Sequence, residues 1–523
     1  MKNKMLIALA IWPCATGLSF AQESSPPASA AEVQELRQQV QQLTDAVKTL
    51  QQQLNDQASS NPLPQNPEPP SLTSGSPPPN PSASPAGSPP PLFPTNDNSV
   101  VASSSAAAPS VNANGTAFPT TDSAVTNAPI ESAGAGSSLT QPITIASSGG
   151  GKNYMNISFD SVATFDATKE RNVSLLQVGD HDPQQRGFNL RNAEIAFDGA
   201  VDPYFEGFAN IVLKLENNQD TTIELEEAFL QTTNLPFGLQ LKGGQFFSQF
   251  GRLNPTHPHT WDFADAPLVL GRLLGPDGLR GVGGQVSWVV PVPWYSQFYL
   301  AMQEGRGGTA YSFRNPGDNG TFFGRITDDR QLRGLGDFVW IPRWENSANL
   351  SDTQTILGGV SGAFGANETG AHERTEIYGA DFLYKWKSSH AEGGFPFVKW
   401  QTEALYRRFE AGRGVDMAFP VAETFHDWGM YSQLLWGFKK GWVAGLRGDY
   451  LHMQDSRFTD DDTRQTRSRI TADITWYPTE FSKLRLQYNH DFLEENAFLA
   501  GRDVDSIMFQ FEFILGAHGA HKF

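Results

Sequence analysis

The sequence predicts an all-β protein: a 16-stranded antiparallel transmembrane β-barrel preceded by an α-helical coiled coil and a disordered Pro/Ser/Ala-rich linker. Three observations predict it. From Lys152 onward, runs of roughly ten residues alternate apolar and polar positions, as strands do when one face meets lipid and the other a polar lumen. The segments between those runs are long and short by turns. No stretch beyond the N-terminal apolar run is long enough to span a bilayer as a helix, and mean hydropathy is −0.38, which excludes a helical membrane protein. A barrel keeps mean hydropathy low while retaining aromatics and glycine, and the chain has 36 Phe, 12 Trp, 12 Tyr and 49 Gly.

Residues 1–21 read as a secretory signal peptide. Lys2 and Lys4 form the basic end, Met5 to Leu18 the apolar stretch, and Ser19-Phe20-Ala21 the cleavage site, so the mature chain is expected to begin at Gln22. The sole cysteine, Cys14, lies inside this segment behind Trp12-Pro13, where a lipoprotein signal needs small residues. Neither a lipid anchor nor a mature thiol is therefore expected.

Residues 22–57 form the predicted periplasmic coiled coil. Val33, Leu36, Val40, Leu43, Val47, Leu50 and Leu54 follow one another at alternating spacings of 3 and 4, the a/d seam of a self-associating helix. Val at a with Leu at d favours two strands, a preference that a trimeric barrel would override. Residues 58–151 are Pro, Ser, Ala, Asn and Gly with almost no periodicity. Such a segment buries too little apolar area to offset its ordering entropy and reads as an extended linker.

The barrel domain is assigned to residues 152–523. Strands are expected at 154–165, 189–199, 203–215, 222–231, 238–249, 284–290, 294–303, 336–343, 354–364, 374–387, 396–409, 427–438, 441–452, 468–477, 483–493 and 504–515. In KLRLQYNHDF, Leu484, Leu486, Tyr488 and Phe492 share one face while Lys483, Arg485, Gln487, Asn489 and Asp491 share the other. A soluble sandwich alternates too, so the connections decide. Those after odd-numbered strands, such as 166–188, 250–283 and 304–335, are mostly long, and those after even-numbered strands, such as 200–202, 291–293 and 439–440, are mostly short. This places both termini on the periplasmic side of an outer membrane. Tyr204, Trp294, Tyr295, Phe438, Trp442, Trp476 and Tyr477 cluster beside the short turns, where an interfacial girdle belongs.

The stretch RNAEIAFDGAVDPYFEGFANIVLKLE, followed by ELEEAFLQTTNLPFGLQLKGGQFFSQFGRLNP with its run Gly244-Gln245-Phe246-Phe247-Ser248-Gln249-Phe250-Gly251, resembles the phosphate-selective porin O/P family. The resemblance implies a sixteen-stranded trimeric porin for anionic solutes. Two features depart from it. The barrel region is net acidic and its basic residues fall mostly near predicted loops, whereas a phosphate-selective lumen calls for Arg and Lys on inward strand positions. The chain ends in Phe523, as barrel-assembly signals do, yet the tail GAHGAHKF lacks alternating aromatics.

Function is expected to reside in the long segment after the fifth strand, 250–283, folded inward to narrow the pore. Pro255, Pro258, Pro267 and Pro276 stiffen it, and Trp261 and Phe263 are apolar enough to pack on the wall. Arg252, Arg272 and Arg280 are the candidate attractors of anionic solute, with Asp262 and Asp265 holding the loop in place. His257 and His259 in NPTHPHTWDFAD, with Asp262 and Asp265 close in sequence, are candidate ligands for Zn²⁺ or Cu²⁺, against the blander reading of solvated loop histidines. His518 and His521 offer a second pair. Asp460, Asp461 and Asp462 read as a solvated acidic run with Arg464, Arg467 and Arg469 as charge partners.

No nucleophile, nucleotide-binding or zinc-protease motif occurs in a fitting context, so neither an enzyme nor a cofactor is expected. Acidic residues outnumber basic ones 56 to 38, a net charge of −18, which argues against nucleic acid as partner. The expected function is an outer-membrane porin for passive diffusion of small hydrophilic, anionic (phosphate-like) solutes. The alternatives are a metal-related receptor and an envelope tether that grips peptidoglycan through the coil. Expected partners are solutes or ions, outer-membrane lipid and two further copies in a homotrimer.

Overall fold

The computed structural model describes residues 143–148, 153–317, 320–413, 421–456, 464–493 and 503–516. The signal peptide, the heptad seam Val33–Leu54, the acidic run Asp460–Asp462, and His518, His521 and Phe523 lie outside the described residues, as does most of the linker.

Nineteen strands are described, and the first, β1, is Ile143–Ser148. The first half of the barrel comprises β2 (Asn153–Thr168), β3 (Gly187–Ala200), β4 (Phe205–Leu215), β5 (Thr221–Thr232), β6 (Leu239–Phe247), β7 (Arg280–Val289) and β8 (Tyr295–Gln303). A small hairpin, β9 (Thr321–Phe322) and β10 (Arg325–Ile326), stands apart from the wall. The wall resumes with β11 (Val339–Ser351), β12 (Gln354–Ala366), β13 (Arg374–Glu392), β14 (Phe395–Ala411) and β15 (Glu423–Lys439). It ends with β16 (Trp442–His452), β17 (Arg467–Thr479), β18 (Ser482–Leu493) and β19 (Val504–Leu515).

Each wall strand pairs antiparallel with its neighbours in sequence, β8 pairs with β11, and β19 returns to β2, closing a barrel of sixteen strands. Closure leaves the sixteen wall strands without a free edge, which a chain surrounded by hydrocarbon requires. The expected sixteen strands are all present. β11 runs on to Ser351, beyond the expected end at 343: Trp344 still faces out and Glu345 in, but polar residues on both faces thereafter hide the strand from a hydropathy reading. β1 falls in the segment assigned to linker. It pairs with the first residues of β2 (Ile143 opposite Ile157), continuing the row that β19 leaves at Phe159.

Polarity is inverted relative to a soluble fold. In β18, Lys483, Arg485, Gln487, Asn489 and Asp491 are buried inside while Leu486, Tyr488 and Phe492 are exposed outside. In β19, Ile507, Phe509, Phe511 and Leu515 point outward, opposite Gln510 and Glu512. An apolar exterior around a polar interior is what lipid demands. The turns 352–353, 393–394, 440–441 and 480–481 define one rim, and 169–186, 248–279 and 304–338 rise from the other. Tyr204, Trp294, Phe438 and Trp476 are exposed at the short-turn rim, and Trp442 stacks on Trp476 at 5.7 Å. Two of the expected girdle residues turn inward instead. Tyr295 donates its hydroxyl to Glu345 (3.0 Å), and Tyr477 packs on Phe263 and Phe395, because the strand period carries their positions to the inner face.

Two bulges matter for the interior. Between β2 and β3, Asn192 pairs with Val162 and Leu190 with Ala163, so Arg191 is the extra residue, and Arg191 and Asn192 are both buried. Between β4 and β5, Glu227 pairs with Asn210 and Leu225 with Ile211, so Glu226 is extra, and Glu226 and Glu227 are both buried. A bulge breaks the strict alternation and re-aims a side chain that would otherwise face lipid.

Candidate functional site

The lumen is occupied by the connection from Ser248 to Leu279. It turns inward at Gly251, whose φ of +61° is left-handed and whose missing Cβ makes room for the Glu403 carboxylate. Glu403 accepts the N–H groups of Arg252 (3.0 Å) and Leu253 (2.9 Å), and Ser361 Oγ accepts that of Gly251 (3.1 Å). Pro258 opens a 3₁₀ turn, Pro258–Thr260, and Pro267 precedes a short helix, α2 (Leu268–Leu273); the four-residue α1 (Val173–Leu176) lies in the first long connection. Leu268, Val269 and Leu273 are fully buried with Phe250, Ile341, Ile377, Leu405 and Leu451. An apolar core thus sits inside a polar-walled barrel.

The wall carries seats for it. Gly379 leaves room for Phe250, Gly429 for Val269 and Gly445 for Phe263, where an added Cβ would come within 2.7, 2.9 and 3.0 Å of those side chains. Charge fixes the remainder. Asp265 pairs with Arg447 (2.8 Å) and Arg469 (2.5 Å) and accepts from Gln487 (2.7 Å) and Asn489 (2.8 Å). Burial opposes charge on Asp265, but the two guanidiniums outweigh it and hold the carboxyl below the usual range. Asp262 accepts from Lys399 (2.7 Å) and Gln433 (2.8 Å). Lys483 and Arg485, at the short-turn end of β18, donate to the carbonyls of His259 (2.7 Å) and Trp261 (3.0 Å), so the segment reaches deep into the barrel. Two other long connections cover it: Asp182 accepts the N–H of Ala266 (2.9 Å), and Ser312 donates to the carbonyl of Leu273 (2.6 Å).

The inner wall differs from expectation. Arg343, Arg407, Arg447, Arg467, Arg469, Lys483 and Arg485 all stand on inward strand positions. Each is paired, as Arg407 with Asp427 (2.6 Å) and Arg343 with Asp381 (2.7 Å). One or two basic residues per strand look unremarkable singly, and only closure gathers them into one lining.

The sequence-selected residues separate into groups. Arg252 is half-buried where the connection leaves β6, and Arg272 is half-buried in α2 near the carbonyl of Leu175 (3.5 Å). Arg280 is only 2% exposed, paired with Glu224 and Asp277, and donates to the carbonyl of Glu226 (2.7 Å). Asp262 and Asp265 do not join the histidines as carboxylate partners, since both point to the basic residues named above. His257 and His259 are buried, not solvated, and stack at 5.8 Å. Their carboxylate neighbours come from the wall. His257 Nδ1 lies 2.9 Å from Glu226 Oε2 and 3.4 Å from Glu194 Oε1, and its Nε2 lies 2.9 Å from Glu227 Oε2. His259 Nδ1 lies 3.4 Å from both Asp160 Oδ2 and Glu194 Oε2. Burial alone would lower both imidazoles. The surrounding carboxylates raise them, His259 up to about 9. Asp160, Glu194, Glu226 and Glu227 escape a sequence reading because they come from three strands, two of them adjacent in the bulge of β5.

No family model matches the sequence. An uncharacterized protein of Aquifex aeolicus (strain VF5) is 32% identical over 355 residues, covering 65% of this chain and 71% of that protein. The chain belongs to the family of that Aquifex protein. Likeness to solved structures is weaker at the sequence level. The outer membrane channel DcaP of Acinetobacter baumannii superposes with a TM-score of 0.47 at 10% identity, covering 69% of this chain and 97% of DcaP. The anion-selective porin from Comamonas acidovorans gives 0.44 at 7%, covering 69% of this chain and all of the porin (100%). OmpT of Vibrio cholerae, in vitro folded, gives 0.40 at 6%, covering 71% and 99%.

Proposed function

We propose that the protein is an outer-membrane channel for small hydrophilic solutes whose passage is controlled by the connection 248–279. The observation that carries this reading is the inversion of polarity around a lumen crossed by one long loop, which contacts wall strands from β2 to β18. A polar, charged interior suits hydrated solutes, and a sixteen-stranded barrel is wide enough to conduct once the loop moves. Within this reading Arg252 and Arg272, the half-buried cations of the loop, draw anionic, phosphate-like solutes. Arg280, held by Glu224 and Asp277, serves to anchor the start of β7. The coil 22–57 and the linker ahead of β1 would then lie in the periplasm, and the barrel would assemble as a homotrimer.

The test is the reversal potential across planar bilayers in a salt gradient. Anion preference in the wild type that weakens in the Arg252→Ala/Arg272→Ala protein supports the reading. Cation preference unchanged by the substitutions contradicts it. A second reading is favoured by the burial of inward side chains on nearly all the described strands: the barrel is a filled anchor and the coil tethers the envelope through peptidoglycan. It predicts no conductance, and envelope detachment when residues 32–54 are deleted.

A further inference from the structure

The geometry points to a dinuclear divalent-metal site inside the barrel, with Glu194 bridging one ion held by His257 and Glu226 and a second held by His259 and Asp160. The two oxygens of Glu194 face different imidazoles: Oε1 is 3.4 Å from His257 Nδ1, and Oε2 is 3.4 Å from His259 Nδ1. Each half brings one imidazole nitrogen and two carboxylate oxygens within a common ligand sphere. The separations discriminate. Two ligands that share an ion at about 2.0–2.1 Å stand roughly 2.9–3.4 Å apart at tetrahedral to octahedral angles. The three contacts at 3.4 Å are long for charge-assisted hydrogen bonds, which favour about 2.7–2.9 Å, while the 2.9 Å from His257 Nδ1 to Glu226 Oε2 fits either.

The strand register supplies an independent argument. Asp160 and Glu194 are directly opposite partners on β2 and β3, both buried, and like charges in that position repel. The bulge in β5 adds Glu226 and Glu227 to the same chamber. Four carboxylates thus converge on two imidazoles, and divalent cations neutralise the excess.

An outer set of contacts orients the ligands, as metal sites require. With Nδ1 on the ion, His257 Nε2–H donates to Glu227 Oε2 (2.9 Å). Asn192 Nδ2 donates to Asp160 Oδ1 (2.9 Å), leaving Oδ2 toward His259. Asn210 Nδ2 donates to Glu226 Oε2 (2.7 Å) and stands 3.0 Å from His257 Nδ1, the contact that the ion replaces. The mixed nitrogen and oxygen donors without thiolate suit Zn²⁺, Mn²⁺ or Fe²⁺, and three protein ligands per ion leave places for water. The consequence is mechanical: the site joins the tip of the inward loop to β2, β3 and β5. It stands whether or not the barrel conducts.

The full-length protein, folded in detergent and stripped with EDTA, is to be titrated with Zn²⁺ and its bound metal counted, and Mn²⁺ loading followed by electron paramagnetic resonance. Two ions per chain and an exchange-coupled Mn²⁺ spectrum are expected, with binding lost in His257→Asn/His259→Asn and the coupled spectrum lost in Glu194→Gln. Heat-modifiable gel mobility checks that each variant retains its barrel. No bound ion in the wild type, a single ion, an uncoupled spectrum, or equal metal content in wild type and the double-histidine variant would overturn the inference. The wild-type count and spectrum decide it even where a variant fails to fold.

Discussion

Arg447 of β16 grips Asp265 of the inward loop twice, donating to its carboxylate (2.8 Å) and to its main-chain carbonyl (2.9 Å), with both side chains almost wholly buried. The pair joins a loop to a wall strand that the chain makes much later. Arg469 completes the arrangement from β17.

Asp265→Asn keeps the shape and removes the charge that two guanidiniums surround. Breaking a buried pair on one side costs about 3–5 kcal/mol. The variant is expected to unfold at lower temperature and to show a loop more open to protease, read by limited proteolysis between residues 255 and 279. An unchanged melting temperature and cleavage pattern would mean that apolar packing alone holds the segment.

The glycine seats make a steric prediction. Gly379→Ala places a methyl group where the Phe250 ring lies, with the added Cβ within 2.7 Å of it. Overpacking of this kind costs about 1–3 kcal/mol. The expected result is a displaced Phe250, with hydrogen exchange accelerated at Phe250–Leu253 and the barrel retained.

Asp182 provides a pH dependence. Burial, reinforced by the nearby charge of Asp265, pushes its carboxyl up to about 6. A folded value above the unfolded one means that this contribution to stability is full below about 4 and is lost as pH rises through about 6. Thermal stability is therefore expected to increase between pH 7 and pH 5, and Asp182→Asn should flatten that part of the profile. Asp265, shifted the other way, stays charged throughout this window.

The sixteen strands were legible because each carries its own alternation, as in 483–493, and the long connection was legible from its length. What escaped was whatever needs closure to exist. The lining of Arg343, Arg407, Arg447 and Arg469 is spread over four strands, and the chamber around His257 draws Asp160, Glu194 and Glu226 from three. At the bulges of Arg191 and Glu226 two successive side chains are buried, which a period-two reading has no means to anticipate. Sequence proximity misled at Asp262 and Asp265, which stand near the histidines along the chain but reach other strands of the wall.

The homotrimer expected for the barrel is checked by chemical cross-linking in mild detergent. A trimer band is expected both for the full-length chain and after deletion of residues 32–54, the coil adding strength to an assembly that the barrels make themselves. Only monomer in both would set the trimer aside.

Single-channel conductance of the wild type beside a deletion of residues 255–279 tests the central claim most directly. A controlled channel predicts small or intermittent conductance in the wild type and a larger, steady conductance in the deletion. Absence of conductance in both, with each barrel shown to be inserted and folded, would contradict the channel and leave the filled anchor.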